Sequence, residues 1–86
     1  MNYYELGQRI RKMRKAHGLS QEALAEKIGI STTHMSHIET GNTKLSLPVF
    51  VDIADALEVN TDDLLSREAH ELKKTSLTHI TELLEN

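Results

Sequence analysis

The chain has 86 residues, 38% of them hydrophobic, no cysteine and a formal net charge of −3. Such a length bounds it to one small domain, and without cysteine it can build neither a disulfide framework nor a thiolate zinc site. No apolar run approaches the ~20 residues of a membrane span, and M-N-Y-Y-E-L-G-Q-R-I at the start lacks a signal-peptide core, so a cytoplasmic protein with no membrane partner is expected.

Apolar spacing predicts an all-α chain. A first helix runs from about Tyr3 to Ala16, with Leu6, Ile10, Met13 and His17 on one stripe, and Gly18 closes it before Leu19 re-enters the core. Ser20 then offers an N-cap to a second helix whose inner face is Leu24, Ala25 and Ile28. Gly29 permits the positive φ that a tight helix end requires. Ser31 caps a third helix anchored by Met35 and Ile38 and ending at Gly41. After a polar loop, T-G-N-T-K, Ser46 caps a fourth helix that tolerates Pro48 in its first turn and shows Leu47, Phe50, Ile53, Ala54 and Leu57 as a wide apolar face. Thr61 is expected to cap a short fifth helix carrying Leu64 and Leu65.

The third helix carries the functional signal. At about 100° per residue, Thr33, Ser36, His37 and Thr40 gather opposite Met35 and Ile38, with Thr32 beside them on the first turn. An ordinary exposed helix face would be built from Glu and Lys, which are good helix formers and favour solubility. Short hydroxyl groups and an imidazole suit close contact with base edges and thymine methyls, where carboxylates would be repelled by phosphate. The bland alternative is a helical hairpin that only fills space.

Residues 20–41 resemble the helix-turn-helix DNA-binding domain of the phage lambda repressor and Cro type, the XRE family of transcriptional regulators. Gln21 opening the second helix, Ala25 at the helix crossing, Gly29 in the turn, and Met35 and Ile38 as anchors carry the resemblance, which extends over residues 3–66. It implies a compact five-helix lambda-repressor-like domain over residues 1–66, and sequence-specific binding of double-stranded DNA, most simply as a repressor, by the helix at 32–40. By matching positions, Thr32, Thr33, Ser36 and His37 would touch base edges. Ser20 and Gln21 would clamp a phosphate at a helix N-terminus, and Thr40, Asn42 and Lys44 would meet the backbone on the other side. Arg14 and Glu39 match positions that form a partly buried ion pair between the first and third helices. Glu39 lies on the inward side with Met35 and Ile38, where a lone carboxylate would be costly to desolvate.

Charge divides the chain unevenly. Residues 1–45 carry seven Lys and Arg against four Asp and Glu, whereas residues 46–86 carry three against nine. The basic groups of the first helix (Arg9, Arg11, Lys12, Arg14 and Lys15) and Lys44 form a local cationic footprint despite the acidic total, unless the helix run is simply a solvated face. His34 and His37 are three apart, but no Cys, third His or suitably placed acid completes a metal site, so no metal or cofactor is expected. No spacing of Ser, His and Asp suggests an organised nucleophile, and an enzyme is not expected.

Residues 67–86 form a separate tail. Ser76 can cap a terminal helix with Leu77, Ile80, Leu83 and Leu84 on one face, preceded by Leu72 in a charged stretch. That stripe either folds back or pairs with a second subunit, and a homodimer on palindromic half-sites about 34 Å apart is the favoured expectation. The alternative function is a protein-interaction module of the same fold, an antitoxin or regulator-binding protein, whose tail holds a protein partner or antagonist.

Overall fold

The computed structural model describes residues 1–65, which form five helices: α1 (Tyr3–Ala16), α2 (Gln21–Ile28), α3 (Thr32–Glu39), α4 (Leu47–Ala56) and α5 (Thr61–Leu65). Among these residues there is no strand. Three helices begin with a side-chain cap. Asn2 Oδ1 accepts from the amide of Glu5, Ser20 Oγ from Ala23 and Ser31 Oγ from His34, each at 3.0 Å, which satisfies one of the amides that a helix start leaves unpaired. Gly29 sits at φ 74° and ψ 31°, so the chain turns directly from α2 into α3.

Two starts differ from the expected ones. Ser46 occupies the cap position of α4 but makes no side-chain cap hydrogen bond. Pro48 in the first turn has no amide to be satisfied, which lessens the need for one. Thr61 lies inside α5 and does not cap it; Asn60 precedes the helix, and the Asp63 carboxylate accepts from the Asn60 amide at 3.0 Å. Asp63 thus makes the return half of a capping box.

The helices enclose one core. Ile10, Leu24, Met35, Ile53, Leu57 and Leu64 are fully buried, one or two from each helix or its end, and each contributes about 1.5–3 kcal/mol of burial. α2 packs on α3 and on α4, α1 on α3, and α5 closes against α1 and α4. Two residues depart from the expected stripes. Leu47 is 72% exposed, because it stands at the first turn of α4 where the helix leaves the core. His17 is exposed at the end of α1, its Nδ1 3.1 Å from the Met13 carbonyl oxygen, since the helix has already turned its last residue outward.

α1 approaches α3 closely at Gly7. A Cβ there would sit 2.5 Å from the Glu39 carbonyl oxygen and against that of Ile38, so a residue that lowers helix propensity is retained for contact between backbones. The tail positions Leu72, Leu77, Ile80, Leu83 and Leu84 lie outside the described residues.

Candidate nucleic-acid interface

The last turn of α3 is held from three sides. Arg14 Nε donates to Glu39 Oε2 at 2.7 Å and Arg14 Nη2 to Oε1 at 3.0 Å, a two-pronged charge-assisted contact. Glu39 is 1% exposed and Arg14 7%, so neither charge has water as a substitute partner. Arg14 Nη1 also donates to the Leu19 carbonyl at 2.7 Å, tying the loop before α2 to the same group. Gln21 Nε2 donates to Glu39 Oε1 at 3.2 Å, and Gln8 Nε2 to the Glu39 carbonyl at 3.0 Å. Among the described residues no buried side-chain nitrogen or oxygen lacks a partner. The carboxylate of Glu39 therefore links α1, the start of α2 and α3 into one rigid corner.

The opposite face of α3 is free. Thr32, Thr33 and His37 are exposed and Ser36 is half-buried, and none of their side chains makes a hydrogen bond with another described residue. Donors and acceptors that have no internal partner on a rigid helix are available to a ligand, and these are short enough to require close approach. Helix α3 supplies the rigidity through the corner around Glu39.

The flanking residues are partly engaged. The Ser20 hydroxyl accepts from the Ala23 amide, which leaves its proton for another acceptor. Gln21 uses one amide proton on Glu39 and retains the other. Thr40 Oγ1 donates back to the Ser36 carbonyl at 2.9 Å and accepts from Asn42 Nδ2 at 3.0 Å, so Thr40 and Asn42 form a small fixed cluster just past α3. Thr40 is the C-cap of α3 and not its last helical residue. Lys44 is exposed beyond that cluster. No set of three or more metal-binding side chains is gathered among the described residues.

Three contacts of this site have no counterpart in the sequence reading: Gly7 against α3, Gln8 on the Glu39 carbonyl, and Gln21 on the Glu39 carboxylate. Gly7 did carry a signal, a glycine in the middle of a strongly periodic helix, which costs about 1 kcal/mol unless something needs the space. The two glutamines carried none, since an exposed amide side chain in a helix is ordinary.

The chain belongs to the helix-turn-helix domain family, which matches it over residues 5–67. It is 40% identical over 62 residues to the uncharacterised HTH-type transcriptional regulator YazB of Bacillus subtilis, covering 72% of this chain and 90% of YazB. It superposes on the restriction-modification controller protein C.AhdI of Aeromonas hydrophila with a TM-score of 0.70 and 35% identity, over 72% of this chain and 94% of that one. SinR, the master regulator for biofilm formation, solved in complex with DNA, superposes with a TM-score of 0.67 and 35% identity over 71% of this chain and 98% of that one. The fold is thus the five-helix, lambda-repressor-like arrangement, with α2 and α3 as its helix-turn-helix.

Proposed function

We propose that the protein is a sequence-specific double-stranded DNA-binding transcriptional regulator, acting as a repressor, that reads the major groove with α3. One observation carries the reading: an exposed helix face of Thr32, Thr33 and His37 with neither Glu nor Lys, on a helix fixed from behind by a buried carboxylate. The SinR–DNA structure and the regulator names of the relatives support it. Thr32, Thr33, Ser36 and His37 make the base contacts in this reading. Ser20 and Gln21 bind one backbone phosphate beside the positive dipole end of α2, and Thr40, Asn42 and Lys44 meet the backbone past the end of α3. The reaction is binding alone, with no catalytic step.

Residues 1–66 form the DNA-binding domain in this reading, and 67–86 the assembly segment of a cytoplasmic homodimer on palindromic half-sites. Leu72, Leu77, Ile80, Leu83 and Leu84 are its contact positions, or those of a protein antagonist. A single module spans only part of one turn of duplex, so pairing supplies both affinity and the symmetry of the operator.

The test is sequencing of genomic fragments retained by the purified protein at about physiological salt, where non-specific phosphate binding is weak. Wild type is compared with the double variant Thr33→Ala/His37→Ala. An enriched palindrome that the variant no longer selects is the expected result, and its half-site spacing reports the assembly on DNA. Absence of any enrichment would overturn the reading in favour of a protein-interaction module.

A further inference from the structure

Three cations of α1 have no part in the fold or in the contacts above. Arg11, Lys12 and Lys15 are exposed, and none has an acidic partner among the described residues. The remaining cations of this helix are engaged. Arg9 lies 3.9 Å from Glu5 and donates to the Leu65 carbonyl at 3.4 Å, and Arg14 is buried with Glu39. With Gln8, the three free cations line a shallow open depression of about 330 Å³.

Their place follows from how α1 is anchored. Gly7 abuts the end of α3, Gln8 Nε2 donates to the Glu39 carbonyl, and Arg14 holds the Glu39 carboxylate that Gln21 also holds. At 100° per residue, Arg11 projects about 40° and Lys15 about 80° round the helix from Gly7, whereas Lys12 is turned about 140° away. Arg11 and Lys15 therefore lie together on one side of the line along which α1 meets the last turn of α3 and the start of α2. That line ends at Gln21.

We infer that Arg11 and Lys15 form a second phosphate-binding strip, continuing along one DNA strand from the contact made by Ser20 and Gln21. The inference rests on the DNA-binding reading and identifies one source of its electrostatic affinity. Once Arg9 and Arg14 are matched by Glu5 and Glu39, the free cations of residues 1–45 are Arg11, Lys12, Lys15, Lys27 and Lys44. Lys27 shares a depression with Asp52 and Asp55 on the side formed by α2 and α4, which leaves Lys44 as the only free cation beyond α3 among the described residues. Duplex affinity rests largely on phosphates neutralised by cations, each releasing condensed counterions. Among the described residues Lys44 alone supplies little of that, and the strip on α1 adds two contacts on the opposite flank of α3.

The experiment measures binding of the full chain to a fluorescent duplex of about 30 base pairs of arbitrary sequence, from about 50 to 200 mM salt. Each phosphate contact contributes about 0.9 to the slope of log K against log salt. Arg11→Ala and Lys15→Ala are each expected to lower the slope by about one and together by about two, and Arg11→Lys is expected to restore it. Lys27→Ala removes the same charge elsewhere and should leave the slope unchanged. All these side chains are exposed, so thermal melts should stay at the wild-type value. Equal slopes for wild type and the Arg11→Ala/Lys15→Ala protein would overturn the strip while leaving the DNA-binding reading intact. The same would follow if Lys27→Ala lowered the slope as much as either of them. A wild type that fails to bind the duplex even at about 50 mM salt would overturn both.

Discussion

The two faces of α3 are built to opposite rules. On the inner side of its last turn, every polar atom of Glu39 is used: Arg14 and Gln21 take the carboxylate and Gln8 takes the carbonyl, all within 3.2 Å. On the outer side, the side chains of Thr32, Thr33 and His37 bond to no other described residue. Under the proposed function, the contrast separates orientation from recognition. The inner face sets where the helix points, and a change there propagates to every contact the helix makes. The outer face has no internal partners to lose, so in that reading it can be exchanged residue by residue while the fold is kept.

The largest break in this contrast is Arg14→Ala. It leaves Glu39 buried without its cation, and removing one member of a buried pair costs about 3–5 kcal/mol. For a domain of this size each kcal/mol moves the melting point by about 4–8 °C, so a fall of roughly 12 °C or more is expected in a circular dichroism melt. An unchanged melting point would show that the corner is not what fixes α3. The paired replacement Arg14→Met/Glu39→Leu sharpens the point, because exchanging both charges for apolar groups is often neutral or stabilising. It should recover much of the loss.

Gly7→Ala tests the same corner through the backbone. Alanine gains about 1 kcal/mol over glycine in an open helix, so a loosely seated α1 would melt higher. Here the new methyl meets the carbonyl oxygens of Ile38 and Glu39, both in the backbone and unable to move aside as a side chain would. A net loss of about 1–3 kcal/mol is expected, as for other overpacked contacts. The sign alone decides whether the two helices touch as described.

A smaller effect compares two caps. Ser31 caps α3 with a 3.0 Å bond to the His34 amide, whereas Ser46 stands before α4 with none. Ser31→Ala should cost about 1 kcal/mol and Ser46→Ala only a few tenths. Equal losses in chemical denaturation would mean that the hydroxyl of Ser31 contributes nothing specific to the start of α3.

These contrasts also mark what sequence alone could reach. The five helices, Gly29 in the turn and the inward position of Glu39 were legible, because apolar period and turn chemistry are local properties. The pairing partner of Glu39 came from the family resemblance and not from spacing, since Arg14 is 25 residues away. The seat of Gly7 against α3 and the amides of Gln8 and Gln21 depend on how helices cross, which no local pattern encodes. Leu47 shows the reverse error: its period matches Phe50 and Ala54, yet α4 begins before it meets the core. Serine before an apolar period marks the true caps at Ser20 and Ser31, whereas at α5 the acidic Asp63 reaching back to Asn60, and not Thr61, marks the helix start.

The outer face supplies the last and smallest stability prediction. Thr33 and His37 are poorer helix formers than alanine by a few tenths of a kcal/mol each, and both are exposed without an internal partner. Thr33→Ala/His37→Ala should therefore melt at the wild-type temperature or slightly above it. A fall of more than about 4 °C, corresponding to about 1 kcal/mol, would mean that the stripe supports the fold and is not held free for a ligand. A chain selected for stability alone would have placed better helix formers at these two positions. Threonine and histidine there fit the base contacts proposed for this face, and a variant that gains stability while losing target selection would separate the two demands on one helix.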